Sequence, residues 1–112
     1  MAENRDKPFF IAAGLHKPHQ PWVGPIEFFN QHPVDEIVLP PTPASEEDNT
    51  PAPSTLVLDD DDALSLQQKK QAIAAYHAMV TMVDHHVGRL LKGLEDFGLA
   101  DSTVLVFTSD HG

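Results

Sequence analysis

Residues 65–99, SLQQKKQAIAAYHAMVTMVDHHVGRLLKGLEDFGL, contain the pattern that decides the fold of this chain. Large apolar residues return at alternating steps of three and four, so they share one face of a helix. These residues are Ile73, Tyr76, Val80, Val83, Val87, Leu90 and Leu94. The pattern predicts a long amphipathic helix that buries this face.

Both ends of this helix carry sequence signals. Ser65 and Gln68 have the spacing of a capping box, in which each side chain accepts from the backbone of the other. Gly98 suits the left-handed residue that ends many helices, and Leu99 can then pack back on the last turn. We therefore expect a helix over residues 66–97, about 48 Å long.

Two short apolar runs flank the helix in sequence. Residues 8–14, PFFIAAG, and residues 103–108, TVLVFT, are predicted to be strands buried on both faces, because they lack an alternating polar pattern. Strand, helix and strand predict an α/β fold built on a βαβ unit, with parallel strands and a long crossover helix. Residues 15–21 and 110–112 then leave the carboxyl ends of the two strands at one sheet edge, where open α/β sheets bind ligands.

Composition excludes several classes of function. The 112 residues fit one small domain or a piece of a larger one. Acidic residues outnumber basic ones by 17 to 7, which argues against binding to nucleic acid or to an anionic membrane. Without cysteine, the chain has no disulfide, thiolate metal site or Cys nucleophile. No apolar run approaches the ~20 residues of a membrane span, and no signal-peptide pattern opens the sequence, so the compartment stays unknown.

Residues 33–63 are rich in proline and in acidic side chains. They are predicted to form an extended surface insertion. The aspartates at 59–62 do not form a calcium loop, because Leu64 stands where such a loop needs Gly. A solvated acidic loop before the long helix is the favoured interpretation.

The loop after the first predicted strand holds His16, Lys17 and His19. Imidazolium and ammonium donors suit an anionic oxygen such as that of a sulfate or phosphate ester. A histidine can also protonate a leaving oxygen. The same residues would fit a polar surface loop, but their position after a buried strand favours a function.

The second predicted strand is followed by Asp110, His111 and Gly112. A carboxylate at a strand end is a good ligand for a hard cation, and His111 can add a ligand or an anion donor. An Asx turn that simply ends the strand is the alternative.

Three blocks of this sequence, in this order, resemble the sulfatase family, and within it the iduronate-2-sulfatase type. They are residues 9–21, FFIAAGLHKPHQP, residues 76–91, and residues 102–112, which end in FTSDHG. The resemblance implies part of an alkaline-phosphatase-like α/β sandwich. It also implies hydrolysis of sulfate esters, with a bound calcium ion and a formylglycine made from Cys or Ser. Intact members are expected to be exported, periplasmic or lysosomal.

The resemblance assigns roles to three residues of this chain. His19 would be catalytic, by binding the sulfate or serving the leaving oxygen. Lys17 matches the motif without a catalytic role and is a weaker candidate for substrate binding. Asp110 would bind calcium, with His111 as a further metal or sulfate contact. The family's nucleophile segment, Cys or Ser followed by Pro, Ser and Arg, is not found in these residues. Residues 1–112 are therefore expected to be part of a sulfatase catalytic domain, with formylglycine in a missing N-terminal part, and to be inactive alone.

The expected partner is a sulfated carbohydrate or another sulfate ester. Two alternatives stay open. One is a phosphodiesterase or phosphonate hydrolase of the same superfamily, because sulfate and phosphate esters share tetrahedral geometry. The other is a non-catalytic remnant or a small binding module, which the absence of the nucleophile segment favours.

Overall fold

The computed structural model describes residues 6–41 and 64–109. Helix α1 spans Ile26–Phe29 and helix α2 spans Leu66–Asp96. Single 3-10 turns occupy Val34–Glu36 and Ala100–Ser102. At ~1.5 Å per residue α2 is about 46 Å long, and the shorter elements pack along it. Within the described ranges, no helix is both long and apolar enough to cross a membrane.

The predicted start of α2 is confirmed in atomic detail. The backbone N–H of Gln68 donates to Ser65 Oγ at 3.3 Å. In return, the backbone N–H of Ser65 donates to Gln68 Oε1 at 2.9 Å. This capping box satisfies two backbone donors that the first helical turn would otherwise leave without partners.

The end of α2 is a Schellman motif. Gly98 has φ +65°, and its N–H donates to the carbonyl of Glu95 at 2.9 Å. The N–H of Leu99 donates to the carbonyl of Leu94 at 2.8 Å, and both leucines are buried. The helix stops at Asp96, one residue before the predicted end, because the next residue already serves as the cap.

The buried face of α2 agrees with the predicted one at Leu94 but differs from it in the middle of the helix. Ala78 and Met79 are fully buried and form the core with Phe28 of α1. Of the large residues predicted to be buried, Tyr76 and Val80 each remain 44% exposed. The side chain of alanine is short, so α1 and its preceding loop can approach the helix closely at Ala78.

Residues at the start of the predicted insertion also pack on α2. Ile37 of the insertion is buried, and Nε2 of His32, the residue just before the insertion, lies 2.7 Å from Thr81 Oγ1. The Thr81 hydroxyl already donates to the carbonyl of His77 at 3.1 Å, so His32 must donate in this bond. The insertion over residues 33–63 stays a prediction, because residues 42–63 lie outside the described part.

No β-strand occurs within residues 6–41 and 64–109. The two apolar runs predicted to be strands have no regular secondary structure and are largely exposed, with Phe10 at 93%, Val104 at 89% and Phe107 at 80%. A strand is stabilised by hydrogen bonds to a neighbouring strand, and the described residues provide none. The parallel βαβ sheet therefore stays a prediction.

The helix end offers a test with a matched control. Gly98→Ala is expected to lower the free energy of unfolding by about 1 kcal/mol, because alanine avoids positive φ. Gly88→Ala is expected to raise it by about 0.5–1 kcal/mol, because Gly88 lies within the helix and an added methyl would meet no neighbour within 4 Å. Urea unfolding followed by far-ultraviolet circular dichroism measures both. Shifts of the same sign would contradict the assigned helix end.

Candidate functional site

The candidate site is the loop that joins the first apolar run to α1. The N–H of His19 donates to the carbonyl of His16 at 3.2 Å, which closes a turn around Lys17. The peptide bonds before Pro18 and Pro21 are both cis. The turn therefore brings the two imidazoles and the ammonium predicted to be functional into one short segment, and the rings of His16 and His19 lie 4.8 Å apart.

Side chains of the loop satisfy its own backbone carbonyls. Trp22 Nε1 donates to the carbonyl of Pro18 at 2.9 Å. Lys17 Nζ donates to the carbonyl of His19 at 3.4 Å and to that of Pro21. His19 Nδ1 pairs with the carbonyl of Gln20 at 2.6 Å. Proline has no N–H to offer, so side chains supply the donors that a helix or sheet would supply from the backbone.

Lys17 is turned towards the loop itself. Its ammonium group contacts two carbonyls and its side chain is half-buried, so it contributes first to the shape of the loop. An ammonium has three protons, and one remains for an anion. The predicted role of Lys17 as a weaker substrate contact stays a prediction.

The hydrogen bond of His19 fixes which ring nitrogen is available. A carbonyl oxygen can only accept, so Nδ1 of His19 carries the proton in its bond to Gln20. Nε2 makes no hydrogen bond to any of the described residues, and the side chain is exposed. Nε2 is therefore an acceptor when the ring is neutral and a donor when it is protonated.

The loop is fixed to α2 by Trp22 and Gly24. The indole of Trp22 meets the ring of Tyr76 edge to face, with centroids 6.2 Å apart and an interplanar angle of 88°. At Gly24 the backbone passes so close to the helix that an added Cβ would lie 2.8 Å from Cε of the buried Met79. The helix thus sets the position of the loop.

A groove of about 610 Å³ lies on the far side of Trp22, between residues 38–41 and α2. Its walls include the rings of Trp22 and Tyr76 and the side chain of Ile73. Lys17 and His19 do not line it. The predicted site residues therefore sit on an exposed loop beside this groove.

The predicted metal ligands Asp110 and His111 lie outside the described residues. Within residues 6–41 and 64–109, no group of three or more His, Cys, Asp or Glu side chains is arranged to hold a metal ion. The closeness of His19 to Asp110 at one sheet edge stays a prediction, as does the calcium site.

Sequence reasoning missed Trp22. A lone tryptophan directly after Pro21 in a loop with few backbone donors was the available signal, because a half-buried indole usually needs an acceptor for its N–H. The interaction of His32 with Thr81 was also missed. It joins residues 49 positions apart, and no local pattern predicts such a pair.

Comparison with known families gives a match over the entire sequence. The profile of the Sulfatase family covers residues 1–112. The chain belongs to the sulfatase family. The resemblance found in its histidine loop and its two other blocks is thereby confirmed.

Individual sulfatases show the same relationship. The chain is 37% identical to the iduronate 2-sulfatase of Homo sapiens, over 94% of this chain and 22% of that protein. It is 33% identical to a sulfatase of Formosa agariphila, over 98% of this chain and 23% of that protein. It is 29% identical to an arylsulfatase of Clostridium perfringens, over 95% of this chain and 22% of that protein. No solved structure is significantly similar to the chain.

The sulfatase chain thus spans about a fifth of the length of these relatives. The matches cover 94–98% of its residues.

The protonated nitrogen of His19 can be measured directly. Long-range ¹H–¹⁵N correlation spectra of the neutral imidazole are expected to show the proton on Nδ1, because the carbonyl of Gln20 accepts it. His85 provides a control, since its ring contacts Phe28 and His86 but donates no hydrogen bond to a described residue. A neutral His19 with its proton on Nε2 would contradict the geometry of the loop.

Proposed function

We propose that this chain contributes the histidine that serves the leaving oxygen in a sulfuric ester hydrolase, and that this histidine is His19. The observation that carries the proposal is the bond from Nδ1 to the carbonyl of Gln20. It leaves Nε2 as the reactive nitrogen on an exposed loop of a sulfatase-family chain. Membership of the family supports the reaction class, and the bond supports the residue.

Hydrolysis of a sulfate ester breaks the bond between sulfur and the ester oxygen. Water is consumed, and the products are an alcohol and hydrogen sulfate. The departing oxygen needs a proton, and a protonated His19 can donate one from Nε2. Transfer from a positioned acid is typically worth about 10²–10⁴ in rate.

Positive charge beside His19 supports binding of the anionic ester. Lys17 lies two residues away, with its ammonium among the carbonyls of the loop and one proton left for a sulfate oxygen. His16 stacks near the ring of His19 at 4.8 Å. Charge-assisted hydrogen bonds from such groups are stronger than neutral ones.

A calcium ion is proposed at Asp110. The donor chemistry fits in part, since a carboxylate is the oxygen ligand that calcium prefers, whereas the imidazole of His111 suits softer cations. His111 is therefore better placed in the role of a sulfate contact. When bound, calcium would supply positive charge to the sulfate oxygens. Formylglycine, the nucleophile expected for the family, is not assigned to any residue of this chain.

We place the chain in an α/β sandwich, with residues 9–14 and 103–108 as parallel strands. Their exposed apolar side chains support this placement, because such runs are stable in water only when another layer covers them. The substrate class proposed is a sulfated carbohydrate. The similarity to an enzyme named iduronate 2-sulfatase supports it.

The function is tested by measuring ester hydrolysis by the protein at its natural length. A chromogenic aryl sulfate, a sulfated sugar and the matching phosphate mono- and diesters are offered in parallel. His19→Ala is expected to lower kcat for the sulfate ester by about 10²–10⁴. His85→Gln is the matched control and is expected to change kcat less than about twofold, because the ring of His85 is exposed and contacts Phe28 and His86 rather than the histidine loop.

The outcomes separate the rival functions. Preferred turnover of a phosphate diester would replace the sulfatase by a phosphodiesterase of the same superfamily. Absence of turnover on every ester would favour the non-catalytic remnant. An unchanged kcat in His19→Ala would remove His19 from the reaction.

Calcium is tested by binding as well as by activity. Isothermal titration with calcium chloride is expected to show one site whose affinity falls about 10-fold or more in Asp110→Asn, because a neutral amide replaces a charged ligand. Asp101→Asn, on an exposed 3-10 turn, serves as the control. Equal affinity in the wild type and in Asp110→Asn would exclude this residue as a ligand.

A further inference from the structure

We propose that Trp22 is a positioning residue for His19, a role that rests on the function proposed above. Trp22 Nε1 donates to the carbonyl of Pro18, and this carbonyl belongs to the peptide that joins Pro18 to His19. The indole thus acts on the reactive imidazole through one planar group. It does not itself contact substrate.

The position of that peptide decides where His19 points. A peptide unit is planar and rigid, so fixing its oxygen fixes the plane that leads into the Cα atom of His19. The next carbonyl along the chain, that of His19, is bound by Lys17, and the one after it by the imidazole of His19. If the Pro18–His19 peptide rotates, these two bonds lose their geometry as well.

The indole can hold the peptide because its own position is set by the helix. Trp22 is half-buried and packs against the core formed by Phe28, Ala78 and Met79. Its ring also meets Tyr76 edge to face. The apolar body of the indole therefore lies on α2, and its single polar atom reaches the loop.

Packing alone does not account for a tryptophan at this position. A phenylalanine would also fill space against Met79 and meet Tyr76, but it would leave the carbonyl of Pro18 without its side-chain donor. The N–H is the part of the residue that acts on the loop. Its removal isolates the positioning role from the packing role.

A small displacement of His19 is expected to affect the chemical step most. Proton transfer requires Nε2 within hydrogen-bond reach of the leaving oxygen, and misplacements of about 1 Å can cost 10²-fold in rate. Binding of the sulfate ester also depends on other charged groups, so KM is expected to change less than kcat. The loss of one neutral hydrogen bond corresponds to about 3–10-fold in kcat.

The test compares three variants with the wild-type protein, all at natural length. Trp22→Phe removes the N–H and part of the ring. Incorporation of benzothienylalanine at residue 22 keeps the bicyclic shape and replaces the N–H by sulfur, so it isolates the hydrogen bond. Tyr76→Phe is the matched control, because it keeps the ring contact and its hydroxyl makes no hydrogen bond to a described residue.

We expect both changes at residue 22 to lower kcat by about 3–10-fold, with KM changed less than about twofold. Thermal unfolding should separate a loss of fold from a loss of position, since the benzothienyl variant keeps the core contacts. Wild-type kcat in that variant would overturn the proposal.

A second readout does not depend on turnover. Long-range ¹H–¹⁵N spectra report how strongly the neutral His19 ring keeps its proton on Nδ1. We expect this preference to fall in the benzothienyl variant and to stay in Tyr76→Phe. If the wild type hydrolyses no ester, the proposed function fails, but these spectra still decide whether Trp22 orients His19. An unchanged preference for the proton on Nδ1 in the benzothienyl variant would reject that role.

Discussion

A loop with two prolines has few backbone N–H donors for its own carbonyls, and the candidate site depends on the side chains that supply the rest. Trp22, Lys17 and His19 supply the missing donors to the carbonyls of residues 18–21. One of these donors is the imidazole proposed to be reactive, so the bond that completes the loop also chooses its reactive nitrogen. The shape of the loop and the chemistry of His19 therefore have a common physical cause.

Contacts with helix α2 fix the position of this loop. The ends of the helix are defined by short-range bonds at Ser65 and Gly98, and in its middle the small side chain of Ala78 is fully buried. The loop can approach there until Gly24 touches Met79. The helix supports the loop through Tyr76 and Met79, while its predicted role as a crossover between strands stays a prediction.

Local features of the fold were predictable from sequence and non-local ones were not. The capping box and the stop at Gly98 depend on residues within one helical turn, so α2 was predicted to within one residue. The buried face was predicted only in part: Leu94 is buried as expected, but hydrophobic spacing favours large residues such as Val80, while the contact with α1 uses Ala78. The predicted strands depend on hydrogen bonds to partners far away in the chain, and the described residues do not test them.

The site shows the same division. His19 and Lys17 could be singled out because their types and spacing suit an anionic ester. The role of Trp22 could not, because it requires knowing that the loop folds back to place Pro18 beside the indole.

The contact between Trp22 and Tyr76 has an optical consequence. They are the single tryptophan and the single tyrosine of the 112 residues, and their rings are 6.2 Å apart. Light absorbed by the phenol is therefore transferred efficiently to the indole while the loop rests on the helix. If the loop left the helix, tyrosine emission would return. The intrinsic fluorescence of the chain therefore reports whether its histidine loop is packed on α2.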